Sequence, residues 1–183
     1  KRVFRREVFM KGAQWLIYAD EDKKLVWDYV SKLMREHSKK LLISFSNDIF
    51  SILEDSKIPL KNTALITTKF NKKIPETTFL NEPFSLVELS ILIQESLNKI
   101  NADIVIFDAP EQILIHNSVF TAERFFSYLK NIFMNRNIES IFLSIDSEIT
   151  SNIIPKVSNL YECKLLLNKQ TKSSREILEK LRK

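Results

Sequence analysis

One glycine, Gly12, stands among 183 residues, and that scarcity excludes a chemistry. A loop that cradles phosphate needs glycines so that successive backbone N–H groups can converge on the anion at a helix N-terminus. A lone glycine ahead of the first apolar strand cannot supply one. Cysteine is equally scarce: Cys163 has no second thiol in the chain, so neither an internal disulfide nor a thiolate metal cluster can form. A cytoplasmic home is the default expectation. His37 and His116 are the only histidines, and neither sits at a ligand spacing from paired carboxylates, so no zinc or iron site and no cofactor is expected. Long apolar runs are missing too. Ile104-Val105-Ile106-Phe107 is strand-sized, far short of the roughly 20 residues of a membrane span. No apolar stretch follows the basic start Lys1-Arg2, so no signal peptide is read, and a start other than methionine is expected of a fragment or a processed end.

What is present is the balance of a folded domain, 44% hydrophobic with 28% charged residues. The net charge of +5 suggests nucleic acid until it is partitioned. Residues 1–11 hold five basic residues against Glu7, and residues 172–183 hold five against two glutamates, so the tails carry +4 and +3. The intervening body is therefore −2, and the basic character belongs to arms rather than to a binding face. The expected organisation is a basic N-terminal arm over 1–11, an α/β domain over 12–171 and a C-terminal amphipathic helix over 172–183.

Residues 14–19 read as a buried strand. Asp20-Glu21-Asp22 then opens a helix, with Leu25, Val26, Tyr29, Val30, Leu33 and Met34 as its apolar stripe. Further strands are expected over 40–45, 64–68, 104–107, 141–145 and 164–167. Helices are expected over 48–54, 85–100 (capped by Ser85), 118–136, 149–160 and 173–182. The segment holding Pro75 and Pro83 reads as a polar connection, and His116 and Asn117 as loop. Continuous apolar strands alternating with helices predict a three-layer α/β fold, a mostly parallel sheet with helices on both faces.

Three segments in this order resemble a RecA/KaiC-like domain. Lys40-Leu41-Leu42-Ile43-Ser44-Phe45-Ser46 is similar to the second strand of KaiC-like proteins. Ala102-Asp103-Ile104-Val105-Ile106-Phe107-Asp108 resembles a Walker B strand, and Ile141-Phe142-Leu143-Ser144-Ile145-Asp146 the strand between the Walker A and Walker B strands. The resemblance covers about residues 14–168 and implies a P-loop NTPase-like fold without the P-loop. The run from Ile106-Phe107-Asp108 through Ile113-Leu114-Ile115-His116-Asn117-Ser118-Val119-Phe120 also resembles an archaeal domain-of-unknown-function family, number eight-three-five, often joined to sensory or helix-turn-helix modules. That family's glycine after the strand aspartate is Ala109 here.

Where a phosphate loop would lie, the chain reads Asp20-Glu21-Asp22-Lys23-Lys24. Three carboxylates there repel a triphosphate, so no ATP hydrolysis is expected. Lys23 or Lys24 could occupy the place of a Walker lysine, or could be solvated helix-surface residues. Asp108 and Asp146 end adjacent expected strands, where open α/β sheets bind ligands; with Ser46 or Thr67 they could hold a cation or a nucleotide, or they could cap their own turns. His116 is the only acid–base candidate, and no dyad or triad can be named. Phe4, Arg5, Arg6 and Phe9 in the arm pair apolar with basic side chains, suited to a protein partner or self-association, to anionic lipid or to nucleic acid, or else to an ordinary strand or helix packed on its own domain. The resemblance adds that RecA-like proteins commonly contact neighbouring subunits through N-terminal segments. The leading expectation is a non-catalytic regulatory or scaffolding domain acting through protein contacts. The alternatives are an atypical nucleotide- or metal-binding enzyme and a non-specific nucleic-acid binder acting through the basic tails.

Overall fold

A computed structural model describes residues 14–19, 23–58, 60–68, 77–80, 85–144 and 163–167. Its strands are β1 (Gln14–Ala19), β2 (Lys40–Ser44), β3 (Thr63–Thr67), β4 (Thr77–Phe79), β5 (Ile104–Asp108), β6 (Glu139–Ser144) and β7 (Cys163–Leu167). They alternate with helices α1 (Lys23–Glu36), α2 (Ile49–Asp55), α3 (Leu86–Ile100), α4 (Glu111–His116) and α5 (Val119–Asn135). The strands form one sheet in the order β4-β3-β2-β5-β6-β1-β7. Every pairing is parallel, so all carboxyl ends share one edge.

Two apolar layers follow from the period-two alternation of strand side chains. Leu41, Ile43, Val105, Phe107 and Phe142 pack beneath α3, α4 and α5, while Leu42, Ile104, Ile106, Ile141 and Leu143 pack beneath α1 and α2. Crossover handedness explains the division. The chain steps one way across the sheet from β1 to β4 and back from β4 to β6, so right-handed connections put its first helices on one face and its later ones on the other. Phe107 anchors the layer beneath α3, α4 and α5, stacked on Phe142 at 5.5 Å and edge-on to Phe45 and Phe126 at 5.8 and 6.0 Å. Such pairs add about 0.5–1.5 kcal/mol each beyond their burial.

Helix ends follow local chemistry. Ser85 and Ser118 accept from the backbone N–H of Glu88 and Thr121, at 3.3 and 3.1 Å, and Asn101 ends α3 in the left-handed region at φ 51°. Two expectations need correction. The proline-flanked polar connection contains β4, whose three residues pair with β3 but are too few to show a period. His116 lies at the end of α4 rather than in a loop. Pro110 at its N-cap pre-sets the first turn, and Glu111 begins it. The arm over 1–11, the acidic turn over 20–22 and the helices expected over 149–160 and 173–182 lie outside the described residues. Among the described residues no helix is long and apolar enough to cross a membrane.

Candidate functional site

β2 leads into α2 on one face of the sheet, and β5 leads into α4 on the other. Their adjacent carboxyl ends therefore bound the kind of crevice in which open α/β sheets hold ligands. Asp108 ends β5 there and is 1% exposed. Its Oδ2 accepts from the Ser44 hydroxyl across the strand pair at 2.6 Å, consistent with Ser44 and Asp108 being register partners. Burial pushes the Asp108 carboxyl above its ordinary value, and the Ser44 and Ser46 hydroxyls and the Lys23 charge oppose that push without cancelling it. The neutral acid is the form the fold favours.

Lys23 reaches this crevice from the first turn of α1. Its ammonium donates to the Ser46 hydroxyl at 3.0 Å and pairs with Asp48, which precedes α2. Ser46 is fixed in turn, its N–H donating to Ser44 Oγ at 3.2 Å. Three residues chosen as site candidates, Lys23, Ser46 and Asp108, are thus brought into one hydrogen-bonded chain by β1, β2 and β5. Lys24 is exposed beside them. Thr67 is buried at the end of β3, where its carbonyl accepts from Leu80 N–H at 3.1 Å. Asp146, Phe4, Arg5, Arg6 and Phe9 lie outside the described residues. Asp108 does not cap the following turn: α4 has no side-chain cap, and the carboxylate is directed to β2 instead.

A second buried acid was not singled out from the sequence. Glu111, 7% exposed, accepts from the Ser144 hydroxyl of β6 at 3.0 Å. It stands three residues beyond Asp108, so one short turn places two carboxyls over the ends of three neighbouring strands. Ala109 makes this turn at φ 56°, with its N–H bonded to Leu143 O at 3.1 Å. A Cβ in that left-handed region costs about 1–2 kcal/mol, which glycine would avoid.

The opposite edge of the sheet carries its own polar cluster. Glu139 is buried and meets His37 Nε2 at 3.2 Å, and its Oε1 has no hydrogen-bond partner among the described residues. Burial, with the charges of Glu139 and Glu36, pushes the Tyr29 phenol up to about 12. Asp103 accepts from Lys39 N–H at 2.8 Å and from the N–H and hydroxyl of Ser38 at 3.2 and 3.1 Å. Partial burial raises the Asp103 carboxyl, but these hydrogen bonds outweigh it and hold the group below the usual carboxylate range. These contacts tie the turns at the amino ends of β2, β5 and β6 together.

The crevice has the elements of an anion or cation site but engages them with one another. A phosphate would have to displace Asp48 from Lys23, and a cation would have to bind a carboxyl whose ionisation burial opposes. Among the described residues no group of three or more histidine, cysteine, aspartate or glutamate side chains converges as a metal site. No family model and no curated protein matches the chain. Among solved structures it is similar to a KaiC-like protein from the hyperthermophilic archaeon Pyrococcus horikoshii OT3, with a TM-score of 0.60, 12% identity, and coverage of 90% of this chain and 74% of that one. The fold is RecA-like, and β6 lies between β1 and β5, as the resemblance of its sequence implied.

Proposed function

We propose that this chain is a non-catalytic regulatory or scaffolding domain acting through protein contacts, on a RecA-like frame whose ligand crevice is occupied by its own side chains. The observation that carries this reading is the engagement of Lys23 by Asp48 and Ser46, which neutralises the lysine that reaches the crevice from the start of α1. The buried, neutral-leaning Asp108 supports it from the other side of the crevice. Contact with protein is favoured by large apolar side chains left on the surface of α3 and α5, Val87, Ile91 and Phe120 among them. The likeness of residues 106–120 to archaeal family eight-three-five fits the same reading and would make this an archaeal, cytoplasmic protein. Calorimetric titration with ATP and magnesium tests it. No saturable heat and no turnover are expected, and micromolar binding with turnover that Asp108→Ala abolishes would overturn it.

The convergence of Lys23, Ser46 and Asp108 at a switch point favours a second reading, an atypical nucleotide- or metal-binding site. It predicts that a nucleotide with magnesium or manganese raises the unfolding temperature, and that Lys23→Met removes the rise.

A further inference from the structure

α3 and α5 lie side by side over the sheet and run the same way. Gln94 donates to Tyr128 Oη at 2.7 Å, and one turn further along α3, Arg136 beyond the end of α5 donates to Asn98 Oδ1 at 2.8 Å. Those two bonds fix the relative height of the helices. Val87 and Ile91 therefore stand near the level of Phe120, all towards the helix N-termini. Val87 is 73% and Phe120 66% exposed, although burying such a side chain is favourable by about 1.5–3 kcal/mol. Arg124 lies over the Phe120 ring at 5.7 Å, and Glu95 is the nearest exposed charge on α3.

We propose that this face joins a second copy of the chain, with a twofold axis running along the helices so that α3 of each copy lies against α5 of its partner. The inference rests on the protein-contact reading above and names the partner. Because the two helices are parallel and fixed in height, such an axis carries Phe120 of one copy onto Val87 and Ile91 of the other. It also brings Arg124 of one copy within about a turn and a half, roughly 7.5 Å along the axis, of Glu95 of the other, a gap that a long guanidinium side chain can span. An acidic group on one helix and a basic group on its neighbour make the face complementary to itself, as an isologous contact requires. Two helices about 22 Å long and about 10 Å apart offer roughly 450 Å² in projection. That is below the roughly 800 Å² per partner of a stable complex, so the dimer is weak and reversible, to be sought from micromolar to millimolar concentration.

Sedimentation equilibrium of the full chain across this range tests the proposal, with circular dichroism confirming that each variant is folded. The wild type forms dimers, and Phe120→Asp, Glu95→Arg and Arg124→Glu each weaken them at least tenfold. An equimolar mixture of Glu95→Arg and Arg124→Glu chains associates again, because each heterodimer restores two opposite-charge pairs. A wild type that stays monomeric at millimolar concentration, dimers indifferent to these substitutions, or a mixture that fails to recover overturns the proposal. None of these outcomes bears on the nucleotide titration, which decides the non-catalytic reading separately.

Discussion

Asp108 offers a perturbation whose sign and pH window are both set by its surroundings. Its pKa is raised in the folded protein above the ordinary 3.8, chiefly by burial. The folded state therefore binds more protons than the unfolded chain between 3.8 and the raised value, and stability falls as pH rises through that window. The slope reaches at most about 1.4 kcal/mol per pH unit. Asp108→Asn keeps the shape and an acceptor for the Ser44 hydroxyl at 2.6 Å but cannot ionise, so its stability relative to the wild type should climb as pH rises from 3.8 towards the raised folded value and level off above it, by about 1 kcal/mol per unit or less. Asp108→Ala cannot ionise either, but it leaves that buried hydroxyl without its acceptor, so it should stay about 1–3 kcal/mol less stable than Asp108→Asn at every pH. Urea unfolding of the three proteins, followed by tryptophan fluorescence at stepped pH, separates the effects. Subtracting wild type from Asn cancels other titrating groups. A pH-independent difference, or an Asn variant as unstable as Ala, would refute a neutral-leaning acid satisfied by Ser44.

Ala109→Gly should stabilise the fold by about 0.5–1 kcal/mol in thermal or urea unfolding, because relief of the left-handed Cβ exceeds the entropy glycine adds to the unfolded chain; a loss would show that the turn is not strained. Asp103 has the opposite linkage from Asp108. Its folded pKa lies below 3.8, so its stabilisation is present above 3.8 and disappears as pH falls through the lower folded value. Asp103→Asn should cost about 0.5–1 kcal/mol at neutral pH, discounted for partial exposure, with the gap to wild type closing in acid unfolding curves.

Most strands and their parallel pairing were legible because buried parallel strands write themselves as continuous apolar runs, and Ile104 to Phe107 could hardly be anything else. Helix starts at Ser85 and Ser118 were equally plain, since both serines cap through their own hydroxyls. Short elements escaped. β4 has three residues and α4 six, fewer than either periodicity needs to declare itself. Lys23, Ser46 and Asp108 could be chosen from their places at strand and helix ends, but their mutual engagement could not, because it depends on β5 entering the sheet beside β2 after an excursion of about 60 residues. The only signal for Glu111 was its place three residues after Asp108, within a turn that its proline made helical. Glu139 lies ahead of the strand expected over 141–145, and only the fold reveals that it begins β6 and is buried against His37.

The place of β1 between β6 and β7 gives the molecule a timetable. The Gln14–Ser140 bond closes a separation of 126 residues, and Trp15 is in register with Cys163 on its other side. In a chain emerging from a ribosome at about 5–20 residues per second, β1 waits roughly 6–25 s for its first neighbour. The strand made earliest is thus among the last to be enclosed, and Trp15, Leu16 and Ile17 stay available to chaperones or to other nascent chains until the sheet closes around them.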